Sequence, residues 1–97
     1  MNIAIDFDDT YTADEILFAG WIRLAQERGH DVRFVTARHE WHDGSNNDIE
    51  RAAEMLGIKA VFTKHQPKRQ FCRDIAGWNP DVWLDDMPEM IGSDGLI

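Results

Sequence analysis

Five acidic residues stand in two short runs near opposite ends of the sequence: Asp6, Asp8 and Asp9 in the first, Asp85 and Asp86 in the second. If the fold brings these runs together, so many like charges cannot all stay ionised without a cation. The pattern therefore calls for a hard, oxygen-seeking metal. Magnesium is the expected ion, because it binds through a few carboxylates, keeps several waters and shares a substrate phosphate. A carboxylate can itself attack phosphorus and carry the phosphoryl group. A second carboxyl nearby can give a proton to the leaving oxygen and later take one from water. A hydroxyl and a lysine would complete such a site by holding the transferring group.

These residues need elements to position them. Residues 2–7 are short, apolar and β-prone, and read as a buried strand ending in acid. Thr12 and Glu15 have the spacing of a capping box, with Thr12 as the N-cap. Leu17, Phe18, Trp21, Ile22 and Ala25 then recur at helical spacing up to a stop at Gly29. Residues 31–36 read as a second strand, and residues 37–47 are too rich in Gly, Ser, Asn and Asp for regular structure. Ile49, Ala52, Ala53 and Leu56 mark a second amphipathic helix, stopped by Gly57. Residues 60–63 make a third strand, and Pro67 suits the first turn of a third helix with Phe71, Cys72, Ile75 and Ala76 facing inward. Residues 81–85 form a fourth strand, again ending in acid, while residues 87–97 give no assignable pattern. This βαβαβαβ order predicts an α/β protein of three layers, a Rossmann-like parallel sheet with helices on both faces. Such sheets bind ligands beyond the carboxyl ends of their strands, where the strand order switches. Asp6, Asp8, Thr36, Asp85 and Asp86 all fall at those ends.

The 97 residues leave room for one domain, residues 1–97, with a modest core. A hydrophobic share of 43% suits a globular fold. The formal charge of −8 argues against extended nucleic-acid binding, which needs a basic face, and agrees with a carboxylate site that a divalent cation neutralises. Cys72 is the single cysteine, so no intramolecular disulfide forms and a reducing compartment is expected. The opening residues lack the basic start and apolar core of a signal peptide, and no apolar run is long enough to span a bilayer. A cytoplasmic protein without membrane contact is the expectation.

Set in order along these elements, the motifs resemble those of the haloacid dehalogenase (HAD) superfamily of phosphohydrolases. Asp6-Phe-Asp-Asp-Thr10 resembles its first motif, an Asp-x-Asp-x-Thr after a hydrophobic strand. Thr36 resembles its second, a hydroxyl closing the next strand, and Asp85-Asp86 its fourth, an acidic pair closing another. Its third motif is a lysine, matched by Lys68 at the start of the third helix or by Lys64. The resemblance implies that Asp6 is the nucleophile and a magnesium ligand. Asp8 is then the general acid/base and offers its backbone carbonyl to the metal. Thr36 binds the phosphoryl group, Lys68 steadies Asp6, and Asp85 and Asp86 complete the metal site. Members commonly carry a cap over the site, and the short turn after Asp8 has no room for one. Capless members often act on larger substrates or borrow a neighbouring subunit as lid, so a homo-oligomer is compatible with the reading.

The expected activity is hydrolysis of a phosphate monoester through an aspartyl-phosphate. Residues 37–47 should meet the rest of a small phosphorylated substrate, with Arg38, His39 and Trp41, together with Lys64, as its binding groups. A cation, an indole and imidazoles suit a nucleotide or a nucleic-acid end, because base–aromatic stacking contributes roughly 1–3 kcal/mol. Two rivals use similar residue types: a receiver-like phosphoacceptor signalling domain, and a non-catalytic magnesium- or phosphate-binding module. The receiver order places the acidic pair first, whereas here it comes last.

Overall fold

A computed structural model of the chain describes residues 1–92. Four strands form one all-parallel sheet: β1 (Asn2–Ile5), β2 (Asp31–Thr36), β3 (Lys59–Phe62) and β4 (Val82–Leu84), in the spatial order β3-β2-β1-β4. Three helices connect them: α1 (Glu15–Glu27), α2 (Asn47–Leu56) and α3 (Lys68–Phe71), the last running on into a wide π-helical turn at Cys72–Ala76. The result is a Rossmann-like α/β fold. Among the described residues no helix is long and apolar enough to cross a membrane.

Alternation along the strands decides which side chain goes to which layer. Ile3, Ile5, Val32 and Phe34 face one side, where they pack with Ala19, Ile22 and Ala25 of α1 and Ile49, Ala53 and Leu56 of α2. Ala4 and Val35 face the other, against Cys72 and Trp78. Trp78 is 5% exposed and donates its Nε1–H to Asp31 Oδ2 at 3.1 Å.

Three local expectations are corrected. The N-cap of α1 is Asp14, whose carboxylate accepts from Leu17 N at 3.0 Å, and not Thr12. Residues Tyr11–Ala13 form a separate 3₁₀ turn, tied to β1 by Tyr11 N–H donating to Asp6 O, so α1 starts two residues later than a Thr12 cap requires. The Thr12 hydroxyl oxygen accepts instead from Asp9 N at 2.9 Å. Leu17 lies outside the buried stripe, 59% exposed, because the stripe runs through Ala19, Ile22 and Ala25. Ile75 is 69% exposed and not inward: the π turn changes the phase of the third helix after Cys72, which alone of that set is fully buried.

The chain moves outward from β1 to β2 to β3, then returns to place β4 on the opposite side of β1. The strand order therefore switches between β1 and β4. Ile5 pairs with Leu84, and Asp6 N donates to Leu84 O at 2.9 Å, so Asp6 and Asp85 leave the sheet side by side at the carboxyl ends of these two strands.

Candidate functional site

The switch point brings together the two acidic runs. One carboxylate oxygen from each of Asp6, Asp85 and Asp86 lies within 4.8 Å of the others. The Lys68 ammonium donates to Asp6 Oδ1 at 3.0 Å and to Asp85 Oδ2 at 2.6 Å. All three of these side chains are shielded, with 3% of Lys68, 10% of Asp6 and 2% of Asp85 exposed. A buried ammonium faced by two carboxylates is a charge-assisted arrangement that costs much to desolvate and is held in place by each partner. Thr10 closes the back of the cluster. Its hydroxyl lies 3.1 Å from Asp86 Oδ1 and 3.5 Å from Asp6 Oδ2, and its oxygen accepts from Asp86 N at 3.2 Å. Met87 N donates to Asp85 Oδ1, which fixes the other oxygen of that carboxylate.

Burial pushes the Asp6 carboxyl up to about 6, against the opposing pull of Lys68, with Asp85 and Asp86 adding to the rise. Asp86 moves the other way, held below the ordinary carboxylate range first by its hydrogen bond with Asp6. The two shifts are opposite because the carboxyls share a hydrogen bond and Asp6 is the more buried of the two. The donors are anionic oxygens only, the set that magnesium or calcium takes and that softer metals do not favour.

The cluster borders a cavity of about 300 Å³, lined by Asp6, Asp8, Asp9, Ala37, His65, Lys68, Asp86, Met87 and Met90. That volume is at the lower end for small-molecule sites. A larger cavity, about 570 Å³, lies between α1 and α2, among Ile16, Ala19, Ala52 and Met55. It holds none of the clustered carboxylates, so size does not mark the site here and chemistry does.

Two further expected residues stand apart from the Asp6, Asp85 and Asp86 cluster. Thr36 is 1% exposed and does not line the cavity; its hydroxyl oxygen accepts from Arg38 N at 3.2 Å. It therefore secures the turn that carries Ala37 past the site. Asp8 lines the cavity but stands outside the group of three clustered carboxylates, and its own carboxylate is gripped by Arg38. Arg38 Nε donates to Asp8 Oδ2 at 2.9 Å and Nη2 to Asp8 Oδ1 at 2.6 Å. The same guanidinium reaches Asp48 at 2.7 and 3.0 Å. Asp48 first, and Asp8 second, hold Arg38 more firmly protonated than usual.

Of the two lysines, Lys68 meets Asp6, because Pro67 caps α3 and aims its first residue at the carboxyl end of β1. Lys64 is exposed in the turn after β3, with φ of 57°. His39 stacks on Trp41 with ring centroids 5.1 Å apart and planes 12° apart, and its other neighbour is His65 at 5.5 Å. Trp41 is 58% exposed. Asn46, almost fully buried, braces this loop by donating to His39 O and Trp41 O.

The residues that sequence reasoning passed over are Asp48, His65, Met87 and Met90. Asp48 carries only the signal of an acid in a helix first turn, and His65 that of a polar turn residue. Comparison with protein-family models, with curated proteins and with solved structures finds no match.

Proposed function

We propose that this chain is a magnesium-dependent phosphatase that hydrolyses a phosphate monoester through a phosphoryl-aspartate on Asp6. The observation that carries the reading is the buried Lys68 ammonium lying between Asp6 and Asp85, with Asp86 beside them at the switch point of the sheet. The order of the motifs, which resembles that of HAD phosphohydrolases, supports it independently. Asp6, Asp85 and Asp86 would hold magnesium through their carboxylates, with the backbone carbonyl of Asp8 as a further ligand. When bound, the ion supplies positive charge that favours an ionised Asp6 and offsets the charge on the phosphoryl oxygens.

The chain's own residues do the rest. Asp6 attacks phosphorus with one carboxylate oxygen, and the bond to the leaving oxygen breaks. Lys68 keeps the carboxylate aimed and neutralises charge as it develops. Asp8 lines the same cavity two residues further on; entering the cycle as the carboxylic acid, it gives its proton to the leaving oxygen, and the resulting carboxylate then takes a proton from the water that cleaves the phosphoryl-aspartate, which restores the acid. Thr36 contributes through the turn it secures.

The preferred substrate is a nucleotide or a nucleic-acid end. His65 brings an imidazole into the cavity, Met87 and Met90 bring adaptable apolar surface, and the His39–Trp41 stack continues outward from His65. The formal charge of −8 weighs against long polynucleotides.

The test is release of inorganic phosphate from p-nitrophenyl phosphate and from a nucleoside monophosphate, with magnesium and with excess chelator. Turnover that needs magnesium and disappears in Asp6→Asn supports the reading. One stoichiometric phosphorylation without turnover turns it toward a phosphoacceptor domain, and no reaction with either substrate removes it.

A further inference from the structure

We infer that Asp48 is a positioning residue for this site, acting through Arg38 on the acid/base Asp8; the inference rests on the phosphatase reading. Arg38 has five N–H groups, and the structure gives each an acceptor. Nε and one hydrogen of Nη2 go to the two oxygens of Asp8. The other hydrogen of Nη2 and one of Nη1 go to the two oxygens of Asp48. The last, on Nη1, faces Ser45 O and Asn46 Oδ1, both at 3.5 Å. The guanidinium also lies over the Phe7 ring, 5.3 Å from its centroid. Arg38 therefore has no open fork for a substrate group, although the sequence set it among the substrate-binding residues.

Its main chain is fixed as well. Arg38 N donates to the Thr36 hydroxyl oxygen, and Arg38 O accepts from Lys64 N at 3.2 Å. Asp48 in turn belongs to the first turn of α2, where its Oδ1 also accepts from Ile49 N at 2.8 Å. A side chain anchored to a helix thus holds an arginine anchored to a strand end, and that arginine holds a carboxylate on the turn after β1.

Asp8 needs such a hold. Its side chain is 48% exposed, and the contacts with Arg38 are what orient its carboxylate. Partial exposure keeps the energy of these ion pairs small, but two parallel N–H···O bonds set direction whatever their energy. Direction is what proton transfer to a leaving oxygen requires, since a misplacement of about 1 Å can cost on the order of 10²-fold. Asp48 touches no reacting atom in this scheme; it keeps Arg38 from swinging, and Arg38 keeps Asp8 in line.

The test compares kcat/KM for p-nitrophenyl phosphate and for an alkyl phosphate, in wild type and Asp48→Asn. Nitrophenolate departs without a proton, whereas an alkoxide does not. Asp48→Asn should lose about 10-fold or more on the alkyl substrate and far less on the nitrophenyl one. In an Asp8→Asn background the same substitution should add no further selective loss. Arg38→Lys, which can hold one carboxylate but not two as a fork, should repeat the signature should Asp48→Asn fold poorly. Equal losses on both substrates, or undiminished selective loss without Asp8, overturn the positioning role while leaving the phosphatase standing. A wild type without turnover overturns both.

Discussion

Lys68 is the residue on which the site's electrostatics depend, because its ammonium is the nearest positive charge to Asp6 and Asp85 and is shielded from water with them. Removing one partner of a buried ion pair leaves uncompensated charge and typically costs 3–5 kcal/mol. In this site the cost is shared with neutralisation of Asp6, whose carboxyl already sits near 6. Lys68→Ala should therefore lower unfolding stability by a few kcal/mol in metal-free urea titrations, as well as suppress turnover. Lys64→Ala, in an exposed turn, should shift stability by less than about 1 kcal/mol and keep most activity. A larger effect at Lys64 on both measures would transfer the role to it. The sequence pointed to Lys68 before Lys64 because Pro67 marks the start of a helix that Lys68 opens. The structure has Pro67 at the N-cap of α3 and Lys68 on Asp6, but the distance to the carboxylates depends on β1 and β4 being neighbours, which residue type does not reveal.

At the level of elements, the strands were readable because each is a short apolar run, and two of them end in acid. The parallel order followed from helices between strands. Neighbouring β1 and β4, on which the whole site depends, was only a condition in the sequence; the register Ile5 with Leu84 meets it. Helix boundaries were less legible. Thr12 has the spacing of a cap, yet Tyr11 is buried in the core and pulls its segment into a 3₁₀ turn, so local capping preference yields to packing. Ile75 failed for a related reason, a π turn that a 3.6-residue period does not foresee. Cys72, at the junction, is fully buried, and burial pushes its thiol up to about 11. At pH 8 the folded protein should react with a disulfide reagent only as fast as it unfolds. Rapid stoichiometric labelling under native conditions would contradict the packing of α3 against the sheet.

Considered as a whole, the molecule gathers Asp6, Asp8, Asp9, Asp85 and Asp86 at the carboxyl edge of a small sheet. The connection from β1 to α1 contains a single short 3₁₀ turn and no inserted cap, and it lends Asp8 and Asp9 to the cavity wall. Part of that work falls to residues after β4: Met87 and Met90 line the cavity, and Ile91 O accepts from Arg69 N at 2.9 Å, tying this segment to the helix that carries Lys68. Gly92 makes the tie tight, with φ of 74° and a position where a Cβ would come within 2.9 Å of Pro67 Cβ. None of this was legible, because residues 87–97 show no period and a glycine there reads as a turn; residues 93–97 lie outside those described. The Arg38 network was equally hidden, since its acids come from the turn after β1 and from α2, forty residues apart in a chain that gives no spacing signal for it. The central claim is that Asp6 carries the phosphoryl group. Its most direct test is acid quenching of the protein during turnover of a radiolabelled phosphate monoester with magnesium, followed by digestion and mass spectrometry. The account predicts label on the peptide containing Asp6, lost on treatment with hydroxylamine and absent from Asp6→Asn. Label on another residue, or full turnover by Asp6→Asn, would contradict it.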